Sequence, residues 1–145
     1  MQKLLPPILV AILLILMLVL HVTAPLMIMG GNIYVAAGLT FMGIALLIGG
    51  SRTFARVGTN IKTFNDPNKF VTTGLFRVSR NPMYLGFTLL LFGVATWFGS
   101  LASYLIALSF FIIANLWYIP FEERKMEKIF GNEYRSYKTR VRRWL

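Results

Sequence analysis

The sequence predicts an all-α integral membrane protein: four transmembrane helices, the last two forming a hairpin, followed by amphipathic helices on the cytoplasmic surface. Three observations carry that prediction. Hydrophobic residues make up 57% of the chain and its mean hydropathy is +0.66, well above the roughly 45–50% apolar content of soluble domains. Four apolar stretches, 4–23, 33–50, 83–98 and 101–119, recur along the chain, and at ~1.5 Å rise per residue each is close to the ~30 Å of a hydrocarbon core. Every Lys, Arg, Asp and Glu falls outside them, as the cost of several kcal/mol for a lone charge in hydrocarbon requires.

Charge placement also orients the bundle. Lys3 precedes the first stretch, Arg52, Arg56, Lys62, Asp66, Lys69, Arg77 and Arg80 lie between the second and third, and the rest follow Pro120. The other two loops carry none. By the positive-inside rule both termini are cytoplasmic, giving one membrane domain over 1–145 with a cytoplasmic connector at 51–80 and a cytoplasmic segment at 121–145. In a prokaryote that is the plasma membrane. A formal net charge of +10 then reflects topology and attraction to anionic lipid headgroups, not nucleic-acid binding. With no cysteine and one histidine, disulfides, thiol catalysis and cysteine-ligated metal are excluded, and no metal site is expected.

The first stretch has no glycine and a smooth Leu/Ile/Val surface, suited to a peripheral helix facing lipid. Val22-Thr23-Ala24 faintly resembles a signal cleavage site, but the apolar run is longer than the 7–15 residues of a signal peptide. Gly38, Gly43, Gly49 and Gly50 on the second stretch, and Gly86 and Gly93 on the third, allow close helix packing; only Gly86 is set apart for a further role. In the connector, Asn65-Asp66-Pro67-Asn68 and Thr72-Thr73-Gly74 have turn chemistry, and a connection of this length predicts a function. Asn81-Pro82 opens the third helix as N-cap and first residue, and Gly99-Ser100 turns the hairpin. After Pro120, residues 122–130 form a charged amphipathic segment. Gly131-Asn132 breaks it, and a basic helix over 133–143 follows. Arg135, Lys138, Arg140, Arg142 and Arg143, with Trp144, place it on the anionic membrane surface.

Two polar stripes stand out from the apolar background. Arg80, Tyr84 and Thr88 recur at intervals of four, and Asn115, Tyr118 and Glu122 at three and four, so each set shares one helix face. Thr88 and Asn115 both lie about 10 Å below the charged surface. Polar side chains at that depth face protein or a cavity, which leaves helix–helix hydrogen bonding and a pocket open to the cytoplasm as the two explanations. Glu122-Glu123 suits a helix N-terminus; alternatively one carboxylate accepts hydrogen bonds from a ligand diol or balances a cationic ligand. Neighbours on a helix diverge by about 100°, so one is expected to face the pocket, and phase with Tyr118 selects Glu122. His21 falls near the outer end of the first helix, a poor position for a catalytic base.

Thr73-Gly74-Leu75-Phe76, then Arg80-Asn81-Pro82-Met83-Tyr84-Leu85-Gly86, then Glu122-Glu123, then Phe130-Gly131-Asn132-Glu133-Tyr134 with Tyr137 and Val141, together resemble the isoprenylcysteine carboxyl methyltransferase family, to which phospholipid methyltransferases are related. The resemblance covers roughly residues 60–143. It implies a small helical membrane bundle whose last hairpin and C-terminal segment hold S-adenosylmethionine, with a tunnel admitting a lipophilic acceptor from the bilayer. Carried over by position, it nominates Asn68, Lys69, Phe70, Val71, Phe76, Asn81, Pro82, Tyr84 and Glu122 as cofactor contacts, with Tyr84 and Glu122 positioning the reactants. Tyr118, Asn115 and Thr88 are the expected acceptor contacts. Three positions depart from the family pattern: Asn81 replaces a frequent histidine, Phe76 a frequent tyrosine, and Tyr118 stands where eukaryotic members place a substrate-binding arginine.

Methyl transfer from a sulfonium is an in-line displacement, so positioning and water exclusion are the protein's main tasks. A carboxylate acceptor is already ionised, whereas an aminophospholipid must first lose a proton. His21 lies at the outer end of its span and no Cys or Lys falls within any span, so a ready-made nucleophile is expected: carboxyl O-methylation of an isoprenylcysteine-type acceptor, a prenylated small molecule or peptide. Phospholipid N-methylation is the alternative enzyme activity, and a non-catalytic transporter or assembly protein the alternative class. A proton-coupled transporter is expected to carry an acidic residue within a span, and none is present.

Overall fold

A computed structural model describes residues 4–23, 30–58 and 69–145. Helix α1 (Pro6–Thr23) opens with Pro6 and Pro7, where the missing N–H groups have no intrahelical partner to lose. It buries Val10, Leu13 and Met17 against the rest of the bundle and exposes Ile8, Ile12, Ile15 and Leu18. One seam is packed and the remainder faces outward.

Helix α2 (Ile33–Val57) is capped by Asn32, whose side chain accepts from the backbone N–H groups of Tyr34 and Val35. It continues past Gly50 to Val57, because no breaker intervenes before Gly58, which ends it at φ 68°. The Ser51 and Thr53 hydroxyls fold back onto the carbonyls of Leu47 and Gly49. The connector therefore begins as helix, and its Asn65-Asp66-Pro67-Asn68 turn lies outside the described residues.

Helix α3 (Pro82–Phe98) packs along α2 through glycine. A Cβ on Gly43 would lie 2.7 Å from the Gly86 carbonyl oxygen, and one on Gly86 2.9 Å from that of Gly43. Gly86, set apart in the sequence for another role, is thus a packing residue, as is Gly93 against Thr40 and Ala36. Gly43→Val is expected to push the two backbones apart and destabilise the bundle by about 2–3 kcal/mol, the scale of overpacking. Denaturant titration in mixed micelles reads that loss.

Gly99 (φ 61°) and Ser100, which caps Ser103 N–H, turn the chain into α4 (Leu101–Ile113). A π-helical turn, Ala114–Tyr118, joins it to α5 (Ile119–Arg140). The helix does not stop at Pro120; the wide turn ends just before it, and the proline, which has no N–H to donate, sits in the first turn of α5. Gly131 (φ 50°, ψ −122°) kinks α5 at the expected break. The basic helix expected over 133–143 ends at Arg140, and extended Val141 (φ −121°, ψ 130°) starts a strap that runs back beneath α3.

Leu91, Ala95, Ala107, Phe110 and Ala114 form the centre of the core with Met17 of α1. Among the described residues three helical runs, Pro6–Thr23, Ile33–Val57 and Leu101–Arg140, are long and apolar enough to cross a membrane. Helix α3, with 17 residues, spans about 25 Å.

Candidate active site

At the charged end of the bundle the start of α1, the last turns of α2, a short 3-10 turn (Gly74–Arg77) and the first turns of α3 and α5 line an open-mouthed cavity of about 100 Å³. Pro6, Pro7, Phe54, Phe76, Met83 and Phe87 make its apolar wall. Arg80, Asn81, Tyr84 and Glu122 supply the polar groups.

Tyr84 reaches the cavity one turn into α3, stacked 6.0 Å from Tyr118, and its hydroxyl donates to Glu122 Oε1 at 2.9 Å. This bond joins the two polar stripes. Glu123 diverges from the cavity and is buried between two cations, with Arg143 Nη2 at 2.8 Å from Oε2 and Arg80 Nη1 at 3.2 Å from Oε1. Arg80 itself is nine-tenths buried, and its Nε has no hydrogen-bond partner among the described residues.

The strap holds the entrance to α3. Arg80 N–H donates to the Arg142 carbonyl and the Asn81 amide to that of Arg143, both at 3.0 Å. Asn81 therefore occupies the N-cap position without a side-chain cap bond, its amide being committed to the strap.

Of the residues nominated from sequence, Phe76, Asn81, Pro82, Tyr84 and Glu122 line the cavity. Asn68 lies outside the described residues, and Lys69 is exposed. Phe70 is instead packed among Phe130, Tyr134 and Tyr137, with ring centroids 5.2–5.7 Å apart, and Val71 is buried without lining the cavity. The three acceptor contacts are also placed elsewhere. Thr88 turns onto its own helix, donating to the Tyr84 carbonyl; Asn115 Oδ1 accepts from Arg143 and Trp144; Tyr118 donates to the Leu4 carbonyl. The π turn shifts the phase of Asn115 against Glu122, whereas Tyr118 stays beside Tyr84 with its hydroxyl taken by Leu4.

Sequence reasoning assigned no site role to Arg80, Phe54 or Arg143. Arg80 was visible as the head of a polar stripe. Arg143 belonged to a basic run with no local sign that it turns inward, and Phe54 lay beyond the expected end of its helix. His21 stacks on Phe98 at 4.5 Å, near the opposite end of the bundle.

Burial pushes the Tyr134 hydroxyl well above its ordinary value, with the charge of Glu123 adding to the shift and Arg80 partly opposing it. Burial pushes Tyr137, which donates to the Phe76 carbonyl, up to about 12. Between about pH 10, where an unfolded tyrosine ionises, and about 12, the folded chain keeps a proton that the unfolded chain loses. Stability is therefore unaffected by Tyr137 below pH 10 and falls as pH rises towards 12. Tyrosinate absorbance is expected to show a late-titrating component, diminished in Tyr137→Phe.

The model of a family described as phospholipid methyltransferase matches residues 32–133. A protein of Haemophilus influenzae, described as uncharacterized, is 41% identical over 63 residues, which are 43% of this chain and 100% of that protein. No solved structure matches the chain. Because the family match runs from the cap of α2 through α3, Tyr84, Glu122 and the kink of α5, and covers well over half of the sequence, the chain belongs to the phospholipid methyltransferase family.

Proposed function

We propose that this protein transfers a methyl group from S-adenosylmethionine to a lipophilic acceptor drawn from the bilayer, with donor and acceptor meeting in the cavity between α1, α2 and α3. Family membership supports a membrane methyltransferase. The single observation that carries the assignment to this cavity is its polar rim: a carboxylate held by Tyr84 faces the same space as a buried arginine with an idle donor.

The residues present fit the donor. Glu122 offers negative charge to a cationic ligand, Arg80 offers N–H donors to a carboxylate, and Phe54, Phe76 and Phe87 offer apolar surface to a purine. When bound, S-adenosylmethionine supplies an electrophilic methyl on a sulfonium. The protein's own part is to fix the line of attack and exclude water. The Tyr84 hydroxyl holds Glu122 in one rotamer, and the apolar wall admits an acyl or prenyl chain while limiting hydration of the nucleophile.

For the acceptor, the absence of His, Cys and Lys from the described cavity lining supports a carboxylate that needs no base, of the isoprenylcysteine type. The family match favours a second reading, N-methylation of an aminophospholipid, in which the Glu122 carboxylate takes up the ammonium proton. The two are separated by methyl transfer from radiolabelled donor in vesicles containing either a farnesylcysteine derivative or phosphatidylethanolamine. A methyl ester releases its label as volatile methanol in base, and an N-methyl group does not. Base-labile label supports the first reading, base-stable lipid label the second, and no transfer to either acceptor counts against both.

A further inference from the structure

Beside the cavity two guanidinium groups share one carboxylate. Glu123 receives Arg143 side-on, with Nε at 3.3 Å from Oε1 and Nη2 at 2.8 Å from Oε2. Arg80 approaches the same Oε1 through Nη1 at 3.2 Å, but out of hydrogen-bonding alignment, and its buried Nε has no partner among the described residues. Two cations and one anion leave the cluster with an excess positive charge. Arg80 brings that excess to the cavity wall. An idle, buried donor on a charged group is costly to leave unmade, and a side-on pair of guanidinium N–H groups matches the two oxygens of a carboxylate or phosphate.

Arg143 is placed by the strap, not by a helix. The Arg143 carbonyl accepts from Asn81, the preceding carbonyl from Arg80 N–H, and the Arg143 side chain also reaches Asn115 Oδ1 at 3.3 Å. The strap is thus keyed to the very segment that carries Arg80. With Arg143 removed, Glu123 would be free to close on Arg80 in the side-on geometry and fill the idle donor.

We propose that Arg80, Glu123 and Arg143 form a receptor for an oxyanion at one side of the cavity, and that Arg143 is a positioning residue: by occupying Glu123 it keeps Arg80 available to the ligand. This rests on the reading that donor and acceptor meet in this cavity. Glu122 lies on the same rim, so the site presents an anion-binding group and a cation-binding group together, as a zwitterionic ligand requires. The oxyanion is either the carboxylate of the donor's amino-acid end or the phosphate of a phospholipid acceptor.

Full-length wild type, Arg143→Ala and Arg143→Lys, reconstituted in nanodiscs, are titrated with two ligand pairs: S-adenosylhomocysteine against its decarboxylated analogue, and short-chain phosphatidylethanolamine against short-chain diacylglycerol. If the donor supplies the oxyanion, wild type prefers the carboxylate form by about tenfold or more. Arg143→Ala lowers that ratio to about one without weakening the decarboxylated analogue, and Arg143→Lys restores part of it. If the acceptor supplies it, the nucleoside ratio stays near one throughout and the lipid ratio behaves in that way instead. A merely structural Arg143 weakens both members of a pair in parallel. That result, or no preference by wild type in either pair, overturns the proposal. Should neither nucleoside bind wild type, the methyl-donor reading fails by itself, and the lipid pair still decides the receptor.

Discussion

Replacing Glu123 by leucine is expected to cost about 3–5 kcal/mol of stability, the scale for removing one member of a buried ion pair. Glu123 is 6% exposed and its carboxylate is the counter-charge to Arg80 and Arg143. Without it two guanidinium groups, the Arg80 one nine-tenths buried, are left facing one another. Because the Arg143 side chain is one-third exposed, solvent screens part of that repulsion, which favours the lower end of the range. Arg80→Met and Arg143→Met added to Glu123→Leu should recover most of the loss, since an apolar replacement of the whole cluster leaves no uncompensated charge. Denaturant titration in mixed micelles measures both. A loss under about 1 kcal/mol for Glu123→Leu would mean that the cluster is hydrated and does not order the entrance to α3.

The second large effect falls on ligand binding with little on stability. Glu122→Gln keeps an oxygen that can accept from Tyr84 but removes the charge, so the fold is retained while a cationic ligand loses its counter-ion. A hydrogen bond to a charged group is worth about 1.5–3 kcal/mol, or roughly 10- to 100-fold in affinity, and S-adenosylmethionine binding is expected to weaken by that factor. Tyr84→Phe leaves the charge and removes one hold on the Glu122 rotamer, so a smaller loss, about three- to tenfold, is expected. The order of the two effects is informative. If Tyr84→Phe is the more damaging, the hydroxyl itself touches the ligand and Glu122 serves to hold it.

The helices were legible because hydrocarbon imposes a simple rule, apolar within and charged outside, and 4–23, 33–50 and 101–119 obey it over their whole length. The meeting of Tyr84 with Glu122 was legible for a related reason: two polar stripes at one depth on neighbouring helices have few other places to point. What failed to show was geometry that depends on one turn or one distant partner. A single π turn moves Asn115 off the face that regular spacing gives it, and the Tyr118 hydroxyl is taken by the distant Leu4 carbonyl. Thr88 satisfies itself on its own helix, which spacing cannot distinguish from a pocket residue. Arg143 and Trp144 read as part of a surface run because the groups that draw them inward, Glu123 and Asn115, lie 20 and 29 residues away. Gly86 packs against Gly43 of another helix, and no local signal separates such a glycine from one beside a ligand.

Calorimetric titration of S-adenosylmethionine into the purified protein, in detergent and again in nanodiscs, tests the central claim most directly. Micromolar binding by wild type, weakened by about tenfold or more in Glu122→Gln with its thermal unfolding unchanged, is the expected result. A folded wild-type protein that takes up no S-adenosylmethionine in either environment, or a Glu122→Gln variant that binds as well as wild type, would contradict the placement of the methyl donor in this cavity.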